Sequence, residues 1–114
     1  MIEIQSSRHN DIMIIQLAGR LDAMTAPECE KAIDDILNKN ERHLVLDLAR
    51  LGYVSSAGLR VILKAAKALY GTGHLALARP QENVLEVLEM TGFGEIMPIY
   101  ASLEEALAGE DPLS

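Results

Sequence analysis

Residues 44–69, LVLDLARLGYVSSAGLRVILKAAKAL, decide the fold of this 114-residue chain. The run opens with residues 44–48, which are apolar on both faces of a strand apart from Asp47, as in the centre of a buried sheet. After a loop, apolar residues recur every three or four positions from Leu59 to Leu69, with basic residues between them. The stretch therefore predicts a buried strand followed by an amphipathic helix.

Strand-like and helix-like patterns of apolar residues alternate along the rest of the chain. Strands are predicted at residues 2–5, 12–17, 44–48, 75–78 and 96–100, with the first and the last at sheet edges. Helices are predicted from Thr25 to the polar run 38–40, over 56–70, over 81–90, and from Ser102 onward. Thr25 and Glu28 have the spacing of a capping box, and so do Ser102 and Glu105. The order β-β-α-β-α-β-α-β-α predicts an α/β fold with a mainly parallel, mixed sheet and four helices.

The composition restricts the classes of function. Seventeen acidic against ten basic residues give a formal charge of −7, so a nucleic acid backbone or an anionic membrane would repel the chain. The single Cys excludes an internal disulfide and suits a reducing compartment, so we expect a cytoplasmic protein. We also expect one domain over residues 1–108, a polar C-terminal tail over 109–114, no nucleic acid partner and no membrane insertion.

Two segments that follow predicted strands carry the candidate site, because ligands of parallel sheets bind beyond the carboxyl ends of the strands. The first segment, residues 19–25, contains Asp22. The second, residues 49–59, contains Ser55 and Ser56 at the point where the next helix must begin. One of the two hydroxyls is expected to cap that helix, and the alternative is a nucleophilic serine.

The nucleophile alternative lacks the residues that it needs. The elbow motif of hydrolases has a Gly two residues before the Ser, and Val54 stands there. The histidines, His9, His43 and His74, precede predicted strands, so a strand of about 16 Å separates His43 from Ser56. With one Cys they form no recognisable metal site. We therefore expect no enzyme, no metal and no cofactor.

The run YVSSAGL at residues 53–59 resembles the signature of the STAS domain, and specifically that of bacterial anti-sigma factor antagonists. Residues 17–22, which end in Gly-Arg-Leu-Asp, are similar to the Gly-x-Leu-Asp segment of this family. Residues 87–93 and 98–100 are similar to its last helix and strand. The resemblance covers residues 2–107, and it agrees with the predicted order of the elements.

The resemblance implies a regulatory binding protein. Such antagonists bind an anti-sigma factor that is also a serine kinase, displace the sigma factor, and are inactivated when the kinase phosphorylates the serine at the start of the second helix. A metal-dependent phosphatase restores the free form. Aligned on Gly58, that serine is Ser56, and Asp22 takes the place of the matching loop Asp. The implied partner-binding residues are Asp22, Met24, Thr25, Tyr53, Val54, Ser55, Ala57, Gly58, Leu59 and Arg60.

One position departs from the family pattern. An Asp usually precedes the phosphorylated serine, and Ser55 stands there instead, which makes Ser55 a second candidate acceptor. The alternative function is a STAS module that docks constitutively in a transporter-associated or scaffold complex, with Ser56 only a helix cap.

Overall fold

The computed structural model describes residues 1–109, in which helices pack on one mixed sheet. The strands are β1 (Ile2–His9), β2 (Ile12–Leu21), β3 (His43–Val54), β4 (His74–Ala78) and β5 (Ile99–Tyr100). The helices are α1 (Ala26–Asn38), α2 (Ser56–Leu69), α3 (Glu82–Met90) and α4 (Leu103–Ala108), with a 3-10 helix at Phe93–Glu95. The strands are ordered as in the chain; β1 is antiparallel to β2, and the other neighbours are parallel.

This arrangement confirms the predicted α/β fold and element order. Of the predicted tail, residues 110–114 lie outside the described residues. None of the helices within residues 1–109 has both the length and the apolar character that crossing a bilayer requires.

Alternate side chains of β3 face two separate cores. Leu44, Leu46 and Leu48 pack in the larger core together with residues of α1, α2 and α3. Val45 points to the other face of the sheet and packs in a smaller core that includes Ala106 of α4. Both faces of β3 are therefore covered, as its unbroken apolar run predicts.

β2 and β3 run further than the apolar patterns predict. The predicted strands stop at residues 17 and 48, whereas the pairing of β2 with β3 continues to Leu21 and Val54. Register shifts between Gln16 and Ala18, and again after Gly19, accommodate the extra residues. Because β4 ends at residue 78, opposite Asp47 of β3, the far end of β3 extends beyond β4 and pairs only with β2, which is itself paired with β1 as far as Gly19. The candidate site lies at the tip of this extension.

Side chains at the start of α3 cover the free edge of the β3 extension. The Gln81 side-chain amide donates a hydrogen bond to the Ala49 carbonyl (2.9 Å), and the Asn83 side-chain amide donates one to the Gly52 carbonyl (2.8 Å). These two amides take the place of the strand N–H groups that β4 no longer supplies. They hold the segment that leads to Tyr53.

The end of the sheet is shorter than predicted. A strand was expected over residues 96–100, but only Ile99 and Tyr100 pair with β4. The preceding 3-10 helix turns the chain, and Pro98, which has no N–H to donate, stands immediately before the strand.

One of the two predicted capping boxes is wrong. The Thr25 hydroxyl donates to the Arg20 carbonyl (2.8 Å) and accepts the Asp22 N–H (2.9 Å), so it makes no capping bond to α1. At the other predicted box, the Ser102 hydroxyl accepts the Glu105 N–H (3.1 Å), which confirms the cap of α4.

An ion pair with a buried carboxylate joins β3 to the end of β4. The carboxylate of Asp47, which is 2% exposed, accepts two hydrogen bonds of 2.8 Å from the guanidinium of Arg79. It also accepts the Ala49 N–H at 3.2 Å. Burial raises the pKa of Asp47, but the bonds from Arg79 and Ala49 outweigh burial and hold the pKa below its usual range. The Arg79 side chain remains 43% exposed.

Because Asp47 is buried and Arg79 is partly exposed, replacing Arg79 should destabilise the fold more than replacing Asp47. Arg79→Met leaves the buried carboxylate without its partner, and we expect a loss of about 3–5 kcal/mol in the free energy of unfolding. Asp47→Asn should cost less, because the guanidinium that it leaves behind reaches water. Urea denaturation measures both values. Lys31→Met, which breaks an exposed pair with Asp35, is the control and should change stability by less than about 1 kcal/mol.

The same pair predicts the response to acid. Because the pKa of Asp47 is lower in the folded protein than in the unfolded chain, the pair stabilises the fold above about pH 4. This contribution is lost as the pH falls through the folded-state pKa. The stability of the wild type should therefore fall more steeply below about pH 4 than that of Asp47→Asn. Parallel acid profiles for the two proteins would contradict this account.

Candidate functional site

The ends of β2 and β3 meet at the start of α2. Leu21 is the register partner of Val54, and the Leu21 carbonyl also accepts the N–H of Ser55 at 2.9 Å. The two segments that the sequence singled out are therefore joined at one place. Asp22 lies in the first segment, directly after β2, and Ser56 lies in the second, at the start of α2.

Ser55 and Ser56 have different roles. Ser55 has an extended backbone and is the N-cap of α2; its hydroxyl accepts the Gly58 N–H at 3.4 Å. Ser56 is the first residue of α2 and is exposed, and no hydrogen bond within residues 1–109 involves its hydroxyl. The interpretation of Ser56 as the cap is therefore wrong, because the cap must be the last residue before the helix.

The N-cap role also accounts for the departure from the family pattern. Ser and Asp are comparably good N-cap residues, since each has a side-chain oxygen that accepts an N–H of the first helical turn. An Asp at position 55 has an oxygen suited to the same capping bond, and Ser55 makes this bond without adding a negative charge at the start of α2.

Gly58 lets α2 begin directly against the end of β2. A Cβ atom at this position would lie 2.7 Å from Leu21 Cγ, 2.8 Å from the Leu21 carbonyl oxygen and 2.9 Å from Val54 Cγ2. Any larger residue would have to push α2 away from β2. The absence of a side chain at Gly58 thus sets the position of Ser56 relative to Asp22.

Asp22 organises the turn that leads into α1. Its Oδ1 accepts the N–H groups of Met24 (3.0 Å) and Thr25 (3.1 Å), and its carbonyl accepts the Ala26 N–H (2.8 Å). Burial raises the pKa of Asp22, but the hydrogen bonds from Thr25 and Met24 outweigh burial and lower the pKa. Its Oδ2 lies 3.6 Å from Nε of Arg20. Asp22 therefore shapes this surface and also adds a charge to it.

The surface around Ser56 combines apolar and cationic groups. Met24 is 88% exposed and Tyr53 is 39% exposed. The guanidinium of Arg20 lies 4.2 Å from the centre of the Tyr53 ring, in a cation–π contact. Arg60 is exposed one turn after Ser56. We define the serine face as Arg20, Asp22, Met24, Tyr53, Ser56 and Arg60.

The other predicted partner-binding residues lie deeper. Thr25, Val54 and Gly58 are buried beneath the serine face, and Ser55, Ala57 and Leu59 are half-buried. The buried residues hold the face in place. Arg20 is not among the predicted site residues, because its position over Tyr53 depends on the register of β2 with β3.

The start of α2 differs electrostatically from the starts of the other helices. In the described part of the chain, α1, α3 and α4 each have a Glu in the first turn, whereas α2 has no acidic residue there. A helix N-terminus carries a partial positive charge that favours a nearby anion. At α2 this charge is not balanced by a carboxylate of the helix itself.

The histidines lie at the opposite end of the sheet. β1 ends at His9, and β3 and β4 begin at His43 and His74. No imidazole within residues 1–109 is therefore placed to activate Ser56 as a nucleophile.

Comparison with known proteins identifies the family. Residues 3–106 match the STAS domain, and the chain belongs to this family. A candidate anti-sigma factor antagonist of Bordetella bronchiseptica, BtrV, is 38% identical over 108 residues, which are 94% of this chain and 93% of that protein. The anti-sigma F factor antagonist of Paenibacillus polymyxa is 32% identical over 108 residues, covering 93% of this chain and 92% of that protein.

Solved structures share the fold. An anti-sigma factor antagonist from Mycobacterium paratuberculosis superposes with a TM-score of 0.91 at 23% identity, over 96% of this chain and 93% of that one. The Bacillus cell fate determinant SpoIIAA in its phosphorylated form superposes with a TM-score of 0.72 at 22% identity, over 94% of this chain and 98% of that one.

The contacts of Gly58 predict an unusual sign for a helix substitution. Gly→Ala within a helix normally stabilises a protein by about 0.5–1 kcal/mol. We expect Gly58→Ala instead to destabilise it by about 1–3 kcal/mol, because the new Cβ would collide with Leu21 and Val54. Urea denaturation measures the change. Gly94→Ala, whose Cβ would meet its nearest neighbour at 3.8 Å, is the control. A stabilised Gly58→Ala variant would show that α2 does not need this close contact.

Proposed function

We propose that this protein is an anti-sigma factor antagonist that binds an anti-sigma serine kinase through the serine face and is inactivated when that kinase phosphorylates Ser56. The observation that carries the proposal is the division of roles between the two serines. Ser55 caps α2, whereas Ser56 is exposed and holds no hydrogen bond of the described fold. A phosphate on Ser56 would break no cap, so Ser56 is favoured over Ser55 as the acceptor.

The family comparisons support the general role. The relatives are named as anti-sigma factor antagonists, and the one from Paenibacillus polymyxa is named as an antagonist of an anti-sigma F factor. SpoIIAA, which shares the fold, has been solved in a phosphorylated form. A phosphorylated state is therefore compatible with this architecture.

The start of α2 can accept the modification without unfolding. Phosphorylation adds a charge of about −1.5 to −2, and the positive end of a helix stabilises such a charge. No carboxylate in the first turn of α2 would repel it. Arg60 is four residues after Ser56, a spacing at which two side chains on a helix surface are neighbours. The free domain should therefore remain folded.

The phosphate would instead weaken the binding of the partner kinase to the serine face. A partner docked over Ser56 would bury the dianion, and an uncompensated buried charge costs about 3–5 kcal/mol. At about 1.4 kcal/mol per tenfold change, binding would weaken by roughly two to three and a half orders of magnitude. A metal-dependent phosphatase would reverse the change. In this scheme the chain acts by binding, in the cytoplasm, and catalyses no reaction itself.

Mass spectrometry of the protein from its native cells tests the modification directly. Cleavage after arginine releases residues 51–60, LGYVSSAGLR, as one peptide with both serines. Fragmentation between Ser55 and Ser56 assigns the phosphate. We expect it on Ser56, and a phosphate confined to Ser55 would contradict the proposal.

Capture of the partner from the same cells tests the switch. Wild type and Ser56→Ala should retain an ATP-binding serine kinase, and Ser56→Asp should bind it roughly 100-fold or more weakly. Ser55→Asp is the matched control: it adds the same charge one position earlier, keeps a good N-cap, and should bind like the wild type. Equal capture of one partner by Ser56→Ala and Ser56→Asp would instead indicate constitutive docking.

A further inference from the structure

Two histidines face each other at the end of the sheet that lies opposite Ser56. His43 begins β3, His74 begins β4, and the two are register partners. Their ring centroids are 5.1 Å apart, the ring planes differ by 16°, and the two Nδ1 atoms are 3.1 Å apart. His43 is half-buried and His74 is exposed, so the pair is accessible from solvent.

The backbone pairing of β3 with β4 holds the His43 and His74 side chains close together. The His74 N–H donates to the Arg42 carbonyl at 2.8 Å, which starts the pairing of β4 with β3. At Gly73 the same carbonyl leaves no room for a Cβ atom. The residue before His74 must therefore be glycine for the two strands to begin this close together. The pairing of the two strand ends sets the spacing of the imidazoles.

The spacing of the two nitrogens matches a chelate. Zinc binds imidazole nitrogens at about 2.0–2.1 Å in a tetrahedral arrangement, which places two of them about 3.3 Å apart. The observed separation is 3.1 Å. Without a metal, the two Nδ1 atoms can share one hydrogen only if the rings adopt opposite tautomers. A metal ion uses both lone pairs at once.

We propose that Nδ1 of His43 and Nδ1 of His74 bind a divalent transition-metal ion of the zinc class. The pair lines a cavity of about 440 Å³ that Asp11 also lines. The described residues contain no group of three or more His, Cys, Asp or Glu side chains arranged for a metal. The site is therefore a two-residue chelate, and water completes the coordination. It lies at the opposite end of β3 from Ser56 and is independent of the proposed switch.

Titration of the untagged full chain with zinc chloride tests this site. Isothermal titration calorimetry should show one zinc per chain. Loss of an outer-shell partner of a metal-bound His already weakens metal binding roughly 10–100-fold, so His43→Gln and His74→Gln should each weaken it at least that much. His9→Gln is the control and should bind zinc like the wild type, because His9 lies outside this pair.

Thermal unfolding provides a second measurement, because a metal that binds only the folded protein raises its Tm. Zinc should raise the Tm of the wild type and of His9→Gln, and leave that of His43→Gln unchanged. Circular dichroism of the metal-free variants checks that they are folded. Zinc binding of equal strength in all three His→Gln variants, or no binding by the folded wild type, would overturn the proposal.

Discussion

The hydrogen bond from the Ser55 N–H to the Leu21 carbonyl joins the two halves of the serine face. It fastens the start of α2 to the end of β2, and Gly58 packs against the same leucine at a distance that admits no side chain. Without this junction, nothing would hold Asp22, after β2, close to Ser56, at the start of α2. The extended pairing of β2 with β3, the register shifts within it and the amides of α3 all serve to bring Leu21 and Ser55 together.

In the proposed switch, the two adjacent serines allow α2 to carry a modification without depending on it for its stability. The capping residue lies outside the helix, and its oxygen is committed to the first turn. The next residue is helical, and its side chain points away from the turn towards solvent. A group added to Ser56 therefore changes the surface while the cap provided by Ser55 stays intact. The stability of the domain and the affinity for a partner can then vary independently.

The sequence predicted the element order and the core because alternation in strands and the helical period depend on local residues. It did not predict the full length of β2 and β3, because Gly19, Arg50 and Gly52 interrupt the apolar pattern while the backbone pairing continues. The capping box predicted at Thr25 was wrong although its spacing was correct. The Thr25 hydroxyl forms hydrogen bonds with the Asp22 N–H and the Arg20 carbonyl instead.

The candidate site was predictable only in part. The motif located the serines, but assigning the cap to Ser55 required the exact start of α2, which a pattern places only within a few residues. The ion pair of Asp47 with Arg79 and the pair of His43 with His74 both depend on the register of β3 against β4. Residues that are about 30 positions apart acquire such partners only when the strands align.

The amides of Gln81 and Asn83 have a consequence for how other chains can approach this domain. An unpaired strand edge is a template on which a foreign strand can add by backbone hydrogen bonding. On the β3 extension, the carbonyls of Ala49 and Gly52 are already occupied by side chains. This edge is thus closed to strand addition and to the edge-to-edge aggregation that follows from it. In the proposed function, recognition beside Ser56 therefore depends on side chains, and a phosphate on one residue would alter it.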